Sequence, residues 1–154
     1  MSMQIDGNNE VALEVLHQIE LWDLAVVGKG IDTLVEQCAH DISMFDISCQ
    51  LEGVDAYKTE WDKVSPYFND HMQITRRDIK LYISEDLAIL HCYSKVENTA
   101  LQAQLQMPWC RTTLCLQKKN GHWRVVHQHI SMPINMSTGK AVMLKVKPKL
   151  KLVV

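Results

Sequence analysis

The sequence lacks the marks of several common protein classes. It has no apolar run near the ~20 residues that a helix needs to cross a bilayer. It contains no glycine-rich phosphate loop, no Gly-x-Ser-x-Gly nucleophile elbow, and no mixed basic and aromatic run of the kind that binds single-stranded nucleic acid. The net charge is only −2, so no overall field attracts nucleic acid. We therefore expect neither a nucleic acid nor a membrane as a partner.

Cysteine occurs in a pattern that argues against a zinc knuckle. The five cysteines form no Cys-x-x-Cys pair, and most of them lie inside apolar runs, as small core residues do. Free core thiols suit a reducing compartment. The opening segment MSMQIDGNNE is polar and acidic, which is not typical of a signal peptide. These features predict a cytoplasmic protein, and no motif indicates a cofactor.

The apolar spacing predicts one domain, since ~100–200 residues per domain is usual and the chain has 154. Apolar residues recur every three or four positions over 9–27, which predicts a long amphipathic helix. Shorter helices are predicted over 31–38 and 54–68, with a strand over 41–51 between them. Further strands follow over 72–83, 86–96, 104–118 and 122–132, and Asn120-Gly121 is a strong hairpin turn. Three helices followed by a β-meander indicate an α+β domain.

The C-terminal tail has a different pattern. Lys145, Lys147, Lys149 and Lys151 alternate with mostly apolar residues, and a period of two places all four lysines on one side of a strand. Pro148 would confine that strand to a sheet edge. One interpretation is a charged edge that blocks aggregation. The other is a strand that binds a partner or bridges subunits.

Three strings resemble a known family. They are GKGIDTLVEQCAHDISMFD, GVDAYKTEW and RTTLCLQKKNGHWRVVHQHISMP. Together they resemble SnoaL-like domains of the nuclear-transport-factor-2-like superfamily, on the ketosteroid-isomerase-related branch. The last string is also similar to the association domain of calcium/calmodulin-dependent protein kinase II. The resemblance covers about 9–133, which leaves 1–8 as an N-terminal tail and 134–154 as a C-terminal extension with a basic edge strand.

The resemblance implies a specific architecture. A curved, mostly antiparallel sheet would wrap around the long N-terminal helix as a cone, in a cystatin-like roll with a pocket between sheet and helices. Members of the family are often dimers, so a homodimer or higher homo-oligomer is expected. Some members use the pocket as isomerases, dehydratases or cyclases, and others only bind or assemble. The fold therefore leaves the function open.

Asp46 is the candidate catalytic residue. The string HDISMFD resembles the strand on which ketosteroid isomerases carry the aspartate that acts as general base. An apolar cone would disfavour the charged carboxylate and make it a better proton acceptor. The same resemblance implies Gln18 and Thr113 at the two positions that stabilise the oxyanion. Both are weaker donors than the family's tyrosine and aspartic acid, so a less demanding reaction than steroid isomerisation is expected.

Aromatic and charged residues supply further candidates for ligand binding. Gln18 and Trp22 share one helix face, as Tyr57 and Trp61 do, because each pair is four residues apart. The two tryptophans have an alternative role as core anchors. Arg111 lies in an apolar strand and would either clamp a carboxylate or form a structural ion pair with Asp46 or Glu97.

His127 and His129 are two apart on a strand and therefore share one face. Two imidazoles leave a metal site incomplete, so no metal is expected. The resemblance implies that Val126, Gln128 and Ile130 face the cone, which would turn both histidines toward a subunit interface. A single bulge would reverse this arrangement.

Two hypotheses follow. In the first, the chain binds a small, partly apolar carbonyl or carboxylate compound, and Asp46 moves a proton while Arg111 or Gln18 stabilises negative charge. In the second, the chain is a binding or assembly module without chemistry.

Overall fold

The computed structural model describes residues 2–28, 30–67, 71–98 and 108–145. Its long helix α1 spans Asn9–Val27, as the apolar spacing predicts. The Asn8 side chain begins the helix by accepting hydrogen bonds from the backbone N–H groups of Glu10 and Val11, at 2.8 and 3.2 Å. Such a cap satisfies backbone donors that have no partner within the helix.

Two further helices are shorter than predicted. Helix α2 spans Ile31–Glu36, and helix α3 spans Gly53–Val64. A short 3₁₀ segment, Ser65–Tyr67, follows α3. The predicted helix to residue 68 ends earlier because Pro66 has no backbone N–H and restricts the residue before it.

Seven strands form one sheet in the described part of the chain. Their order across the sheet is β1-β4-β5-β6-β7-β2-β3, and β1 with β4 and β7 with β2 are the parallel pairs in an otherwise antiparallel sheet. The strands are β1 Met3–Asp6, β2 Cys38–Phe45, β3 Gln50–Glu52, β4 Met72–Ile83, β5 Leu87–Asn98, β6 Cys110–Lys119 and β7 His122–Ser131. The predicted α+β class is confirmed, with three helices and a curved sheet.

The structure changes three of the predicted segments. The N-terminal tail over 1–8 contains β1, which pairs with β4 at the sheet edge. The single strand predicted over 41–51 is two strands, β2 and β3, which pair with each other antiparallel. The four residues between them form the connection, and the backbone N–H of Asp46 donates to the carbonyl of Cys49 across it at 2.9 Å. Of the strand predicted over 104–118, the part before residue 108 lies outside the described residues.

The C-terminal extension is described only as far as Lys145, so the remainder of the predicted lysine-faced strand lies outside the described residues. Within the described part, Leu144 forms a single antiparallel bridge to Trp109, and Ala141 forms another to Ile134. None of the helices in the described ranges is long and apolar enough to cross a membrane.

The core lies between α1 and one face of the sheet, which we call the inner face. Helix α1 packs on β4 and β7, and α3 packs on β2. The side chains that are almost completely enclosed come from both layers: Val15, Trp22, Leu34, Ile42, Leu81, Leu90, Leu114, Leu116 and Val125. The opposite, outer face of the sheet is not covered by any helix of the described chain.

Candidate ligand-binding site

A cavity of about 350 Å³ lies between the inner face of the sheet and helices α1 and α3. Most of its wall is apolar, with polar groups at a small number of positions. Residues from α1, α3, six strands and their connections line it: Trp22, Val26, Met44, Asp46, Ile47, Leu51, Tyr57, Glu60, Trp61, Val64, Ile74, Arg76, Ser94, Lys95, Val96, Pro108, Cys110, Thr112, Gln128 and Ile130.

Three aromatic rings form the helical side of the cavity. Trp22 and Tyr57 lie nearly parallel, with ring centroids 6.0 Å apart and an interplanar angle of 22°. Trp61 continues the wall, 6.4 Å from Tyr57. All three side chains are buried, so each is a core anchor and also presents a surface to the cavity. The core-anchor role that the sequence offered for the two tryptophans fits their burial, and ligand binding by these rings stays a prediction.

The sheet side of the cavity carries polar groups that bond to one another. The Trp22 indole N–H donates to the Gln128 side-chain oxygen at 3.3 Å, which ties α1 to β7. The hydroxyls of Ser94 and Thr112 are buried and 2.5 Å apart on neighbouring strands. Because buried polar groups are costly to leave unpaired, these bonds hold the side chains in fixed positions.

Arg76 is the buried cation of the cavity wall. Its Nε donates to one carboxylate oxygen of Asp23 at 2.8 Å and its Nη2 to the other at 2.6 Å, while Nη1 donates to the Cys92 sulfur at 3.5 Å. Burial by itself disfavours the guanidinium cation, but the hydrogen bonds and charge of Asp23 outweigh this and raise the pKa of Arg76 above its ordinary value. The side chain therefore stays charged and is neutralised by its partner.

Asp46 lies at the mouth of the cavity, just after β2. Its side chain is exposed rather than enclosed in the apolar interior, and one carboxylate oxygen accepts the backbone N–H of Ile47 at 2.7 Å. The expected water-poor surroundings are therefore wrong, because the strand ends at Phe45 and the chain turns outward. The carboxylate still borders the cavity.

Five of the predicted ligand-binding residues do not line the cavity: Gln18, Arg111, Thr113, His127 and His129. Gln18 lies about one turn before Trp22 on α1. Its side-chain N–H donates to the side-chain oxygen of Gln37 at 2.5 Å. Arg111 is exposed on the outer face, where its Nε donates to the Ser131 hydroxyl at 3.2 Å. Arg111 therefore makes no ion pair with Asp46 or Glu97; Glu97 instead pairs with Lys95 at 2.6 Å.

Thr113 also faces outward, because β6 alternates between the two faces. Thr112 is buried and its neighbour Thr113 is only half-buried. The inward set is Cys110, Thr112, Leu114 and Leu116. The position that the resemblance assigned to the oxyanion partner is thus one residue out of phase with the cavity.

A bulge in β7 sets the direction of the two histidines. Cys115 pairs with His127 and Leu116 with Val125, so Val126 is the extra residue. Val126 therefore does not face the cavity as expected, whereas Gln128 and Ile130 do. His127 and His129 lie on the outer face.

Both histidines contact the end of β2. The His127 Nδ1 is 2.7 Å from the Ser43 hydroxyl, and the Phe45 ring meets the rings of His127 and His129 edge to face, at 5.0 and 5.5 Å. Among the described residues, no group of histidine, cysteine and acidic side chains could hold a metal ion.

Sequence reasoning missed the residues that supply the polar part of the cavity. Arg76 and its partner Asp23, and the Ser94–Thr112 pair, were not among the candidates. A signal existed for two of them. In β4, Arg76 shares a face with the apolar Ile74, and in β6, Thr112 alternates in step with apolar residues that face inward. The partnership of Asp23 with Arg76, 53 positions away, left no such local signal.

Comparison with known proteins identifies the family to which this architecture belongs. The model of the SnoaL-like domain matches residues 15–135. The chain belongs to the SnoaL-like domain family. This SnoaL-like domain is similar to an NTF2-like protein of unknown function from Pseudomonas putida, with 26% identity, a TM-score of 0.79, and coverage of 92% of this chain and 99% of that one. No curated protein matches it in sequence.

Two more distant structures share the fold of this SnoaL-like domain. One is a candidate dehydratase of the NTF2-like family from Streptomyces avermitilis, with 13% identity, a TM-score of 0.68, and coverage of 80% and 96% of the two chains. The other is a candidate ketosteroid isomerase from Shewanella frigidimarina, with 16% identity, a TM-score of 0.62, and coverage of 75% and 92%. The resemblance to this family is confirmed, and at these identities the likeness concerns the fold alone.

Proposed function

We propose that this SnoaL-like domain binds a small, partly apolar organic molecule in the cavity between α1, α3 and the sheet. The observation that carries the proposal is the aromatic wall of Trp22, Tyr57 and Trp61 opposite a few fixed polar groups, around about 350 Å³ of space. Small-molecule sites are typically concave, mostly apolar and of roughly 300–1,000 Å³, with few polar groups that set the ligand's orientation.

The reaction that we propose is proton transfer, as in an isomerisation or dehydration. Asp46 is the carboxylate at the cavity mouth with one oxygen not used by Ile47, and it would accept the proton. Gln18, Arg111 and Thr113 do not line the cavity, so stabilisation of negative charge would come from Arg76 or from a hydroxyl of the wall. The two fold relatives described as a candidate dehydratase and a candidate isomerase support this reaction class.

A variant that fills the cavity tests binding. Ile74 lines the cavity from β4, and its neighbour Gln73 is exposed on the other face of the same strand. Ile74→Trp should abolish binding of diphenylmethane, a two-ring probe of suitable size, because the indole occupies the space. Gln73→Trp, the matched control, should leave it unchanged. NMR titration of the tryptophan indole N–H signals measures both, and a wild-type protein that does not respond to the probe would contradict the proposal.

An assembly role is the second candidate function, and one observation favours it. Phe45, Ile47 and Ile134 are large apolar residues that are 49%, 54% and 55% exposed, and they line one surface groove. Burying such a patch in a homodimer or larger ring would remove it from water. Light scattering across micromolar concentrations tests this, with Phe45→Glu expected to dissociate the oligomer. A wild-type monomer throughout that range would argue against assembly.

A further inference from the structure

Tyr57 holds the central place in the aromatic wall. Its side chain is 7% exposed and lies between Trp22 and Trp61, with contacts to both rings. Helix α3 fixes the position of the Tyr57 ring, because Val54 and Trp61 on the same helix are also buried. The ring is therefore held rigidly against the cavity, and the direction of its hydroxyl is set by the fold.

The hydroxyl of Tyr57 has no hydrogen-bond partner among the residues that the structure describes. It is also not sealed within the protein, so it borders open volume, and the cavity is the volume that Tyr57 lines. The other polar groups nearby are engaged: Trp22 bonds to Gln128, and Ser94 bonds to Thr112. Tyr57 therefore offers a donor that the protein itself does not use.

The charges around the cavity disfavour an anionic ligand. Asp23 neutralises Arg76, and Glu97 pairs with Lys95 at 2.6 Å. The Asp46 carboxylate also borders the space, as does the carboxylate of Glu60, which pairs with Lys63 at 3.1 Å. A ligand carboxylate would thus lose its hydration, meet no unpaired cation in the described wall, and be repelled by the Asp46 carboxylate. An uncharged oxygen avoids all three penalties.

We propose that the cavity selects an uncharged carbonyl compound whose oxygen accepts a hydrogen bond from the Tyr57 hydroxyl. This inference rests on the proposed function and narrows its ligand from carbonyl or carboxylate compounds to neutral carbonyl compounds. Burial raises the pKa of Tyr57 above its ordinary value, with smaller contributions from Cys38 and from the Asp46 carboxylate, so the hydroxyl keeps its proton. Apolar contact with the rings supplies affinity, and the single donor supplies selectivity.

Three probes of similar shape separate these contributions: benzophenone with a carbonyl, diphenylmethane without one, and diphenylacetate with a carboxylate. We expect benzophenone to bind most tightly and diphenylacetate least. In Tyr57→Phe, benzophenone should lose about threefold to tenfold in affinity, the effect of one neutral hydrogen bond, while diphenylmethane is unchanged. Tyr93→Phe, the same substitution on a half-buried tyrosine of the outer face, is the matched control and should alter neither.

The outcomes distinguish this inference from the proposed function. If none of the probes perturbs the Trp22 and Trp61 indole signals, the ligand-binding cavity itself is contradicted. If benzophenone and diphenylmethane bind equally, and Tyr57→Phe changes neither, the cavity binds ligands but the donor role is overturned. Diphenylacetate binding as tightly as benzophenone would overturn the preference for an uncharged ligand.

Discussion

Arg76 and Asp23 form a two-point ion pair that joins β4 to α1 beside the cavity, with Nε···Oδ2 and Nη2···Oδ1 distances of 2.8 and 2.6 Å. Their side chains are 9% and 18% exposed, so both charges are largely removed from water. A buried ion pair of this kind adds little net stability, because the attraction between the two charges roughly offsets their loss of hydration. Breaking it, however, leaves one charge buried without a partner.

Asp23→Asn should therefore lower the free energy of unfolding by about 3 to 5 kcal/mol, the usual cost of orphaning one member of a buried ion pair. Urea unfolding followed by tryptophan fluorescence measures this. Glu20→Gln on the same helix is the matched control, because that side chain is 71% exposed and should change stability by less than about 0.5 kcal/mol.

A double variant checks the interpretation of that loss. Asp23→Leu with Arg76→Met removes both charges and keeps apolar volume, so it should recover most of the stability lost in Asp23→Asn. A double variant that is as unstable as the single one would show that packing at these positions, rather than an unpaired charge, causes the loss.

The hydroxyl pair of Ser94 and Thr112 predicts a difference between neighbouring threonines. Thr112→Val leaves the Ser94 hydroxyl buried without its partner, which should cost about 1 to 3 kcal/mol. Adding Ser94→Ala should recover part of that cost, since both polar groups are then gone. Thr113→Val on the outer face is the control, with an expected effect within about 0.5 kcal/mol. Equal losses at the two threonines would contradict the register of β6.

The buried Cys38 thiol predicts a loss of stability at alkaline pH. Burial raises its pKa from 9.0 to about 11. Below pH 9 the thiol is protonated in both states and its contribution is complete. Between pH 9 and about 11 only the unfolded chain releases the proton, so the free energy of unfolding falls, by up to about 2 to 3 kcal/mol from this group.

Urea titrations at pH 8 to 11 (about one unit apart) measure this effect, with Cys38→Ala as the comparison. The variant should show a shallower decline over this window, because it has no thiol to ionise there. Parallel curves for the two proteins would mean that other groups account for the alkaline dependence.

Asp46→Asn separates chemistry from stability. Because the side chain is exposed and its bond to the Ile47 N–H can be kept by an amide oxygen, the free energy of unfolding should change by less than about 0.5 kcal/mol. We expect the wild type to accelerate exchange of the α-protons of acetophenone with deuterium, and the variant to lose about a hundredfold or more of that rate.

Asp41→Asn is the control for this experiment, since Asp41 is an exposed carboxylate of β2 that does not line the cavity. NMR measures the exchange in all three proteins. Unaltered exchange in Asp46→Asn, or no acceleration by the wild type, would remove the proton-transfer mechanism and leave binding alone.

Local features of the chain were sufficient to predict the fold class. The three- and four-residue spacing over 9–27 matches α1, and the Asn120-Gly121 pair forms a turn in which both residues have positive φ, 52° and 77°. Both are short-range effects: a helix face and a hairpin turn depend on neighbours within a few residues. Residues far apart in sequence were not needed to predict them.

Positions within the site depended on longer-range structure. Alternation along a strand defines two faces, but the sequence does not show where a bulge shifts the alternation by one residue. The face of Val126 in β7 could therefore not be predicted from spacing alone. The outward position of Asp46 follows from a turn between β2 and β3, within a segment whose apolar residues resemble one strand. In β6 the alternation of polar and apolar residues places Thr112, not Thr113, on the inner face. The resemblance to ketosteroid isomerases had assigned the oxyanion position to Thr113, which faces outward.

The sequence by itself determined that this chain forms an α+β domain, because periodicity and turn residues act locally and agree along the chain. The SnoaL-like type came from the resemblance of three strings to that family. Tertiary structure alone decided which side chains meet in the cavity. Asp23 and Arg76 are 53 positions apart in the sequence, and Trp22 and Gln128 are 106 apart. Each pair comes into contact only when α1 packs on the sheet. Burial then makes those contacts decisive, since an unpaired polar group in the interior costs far more than the same group in water.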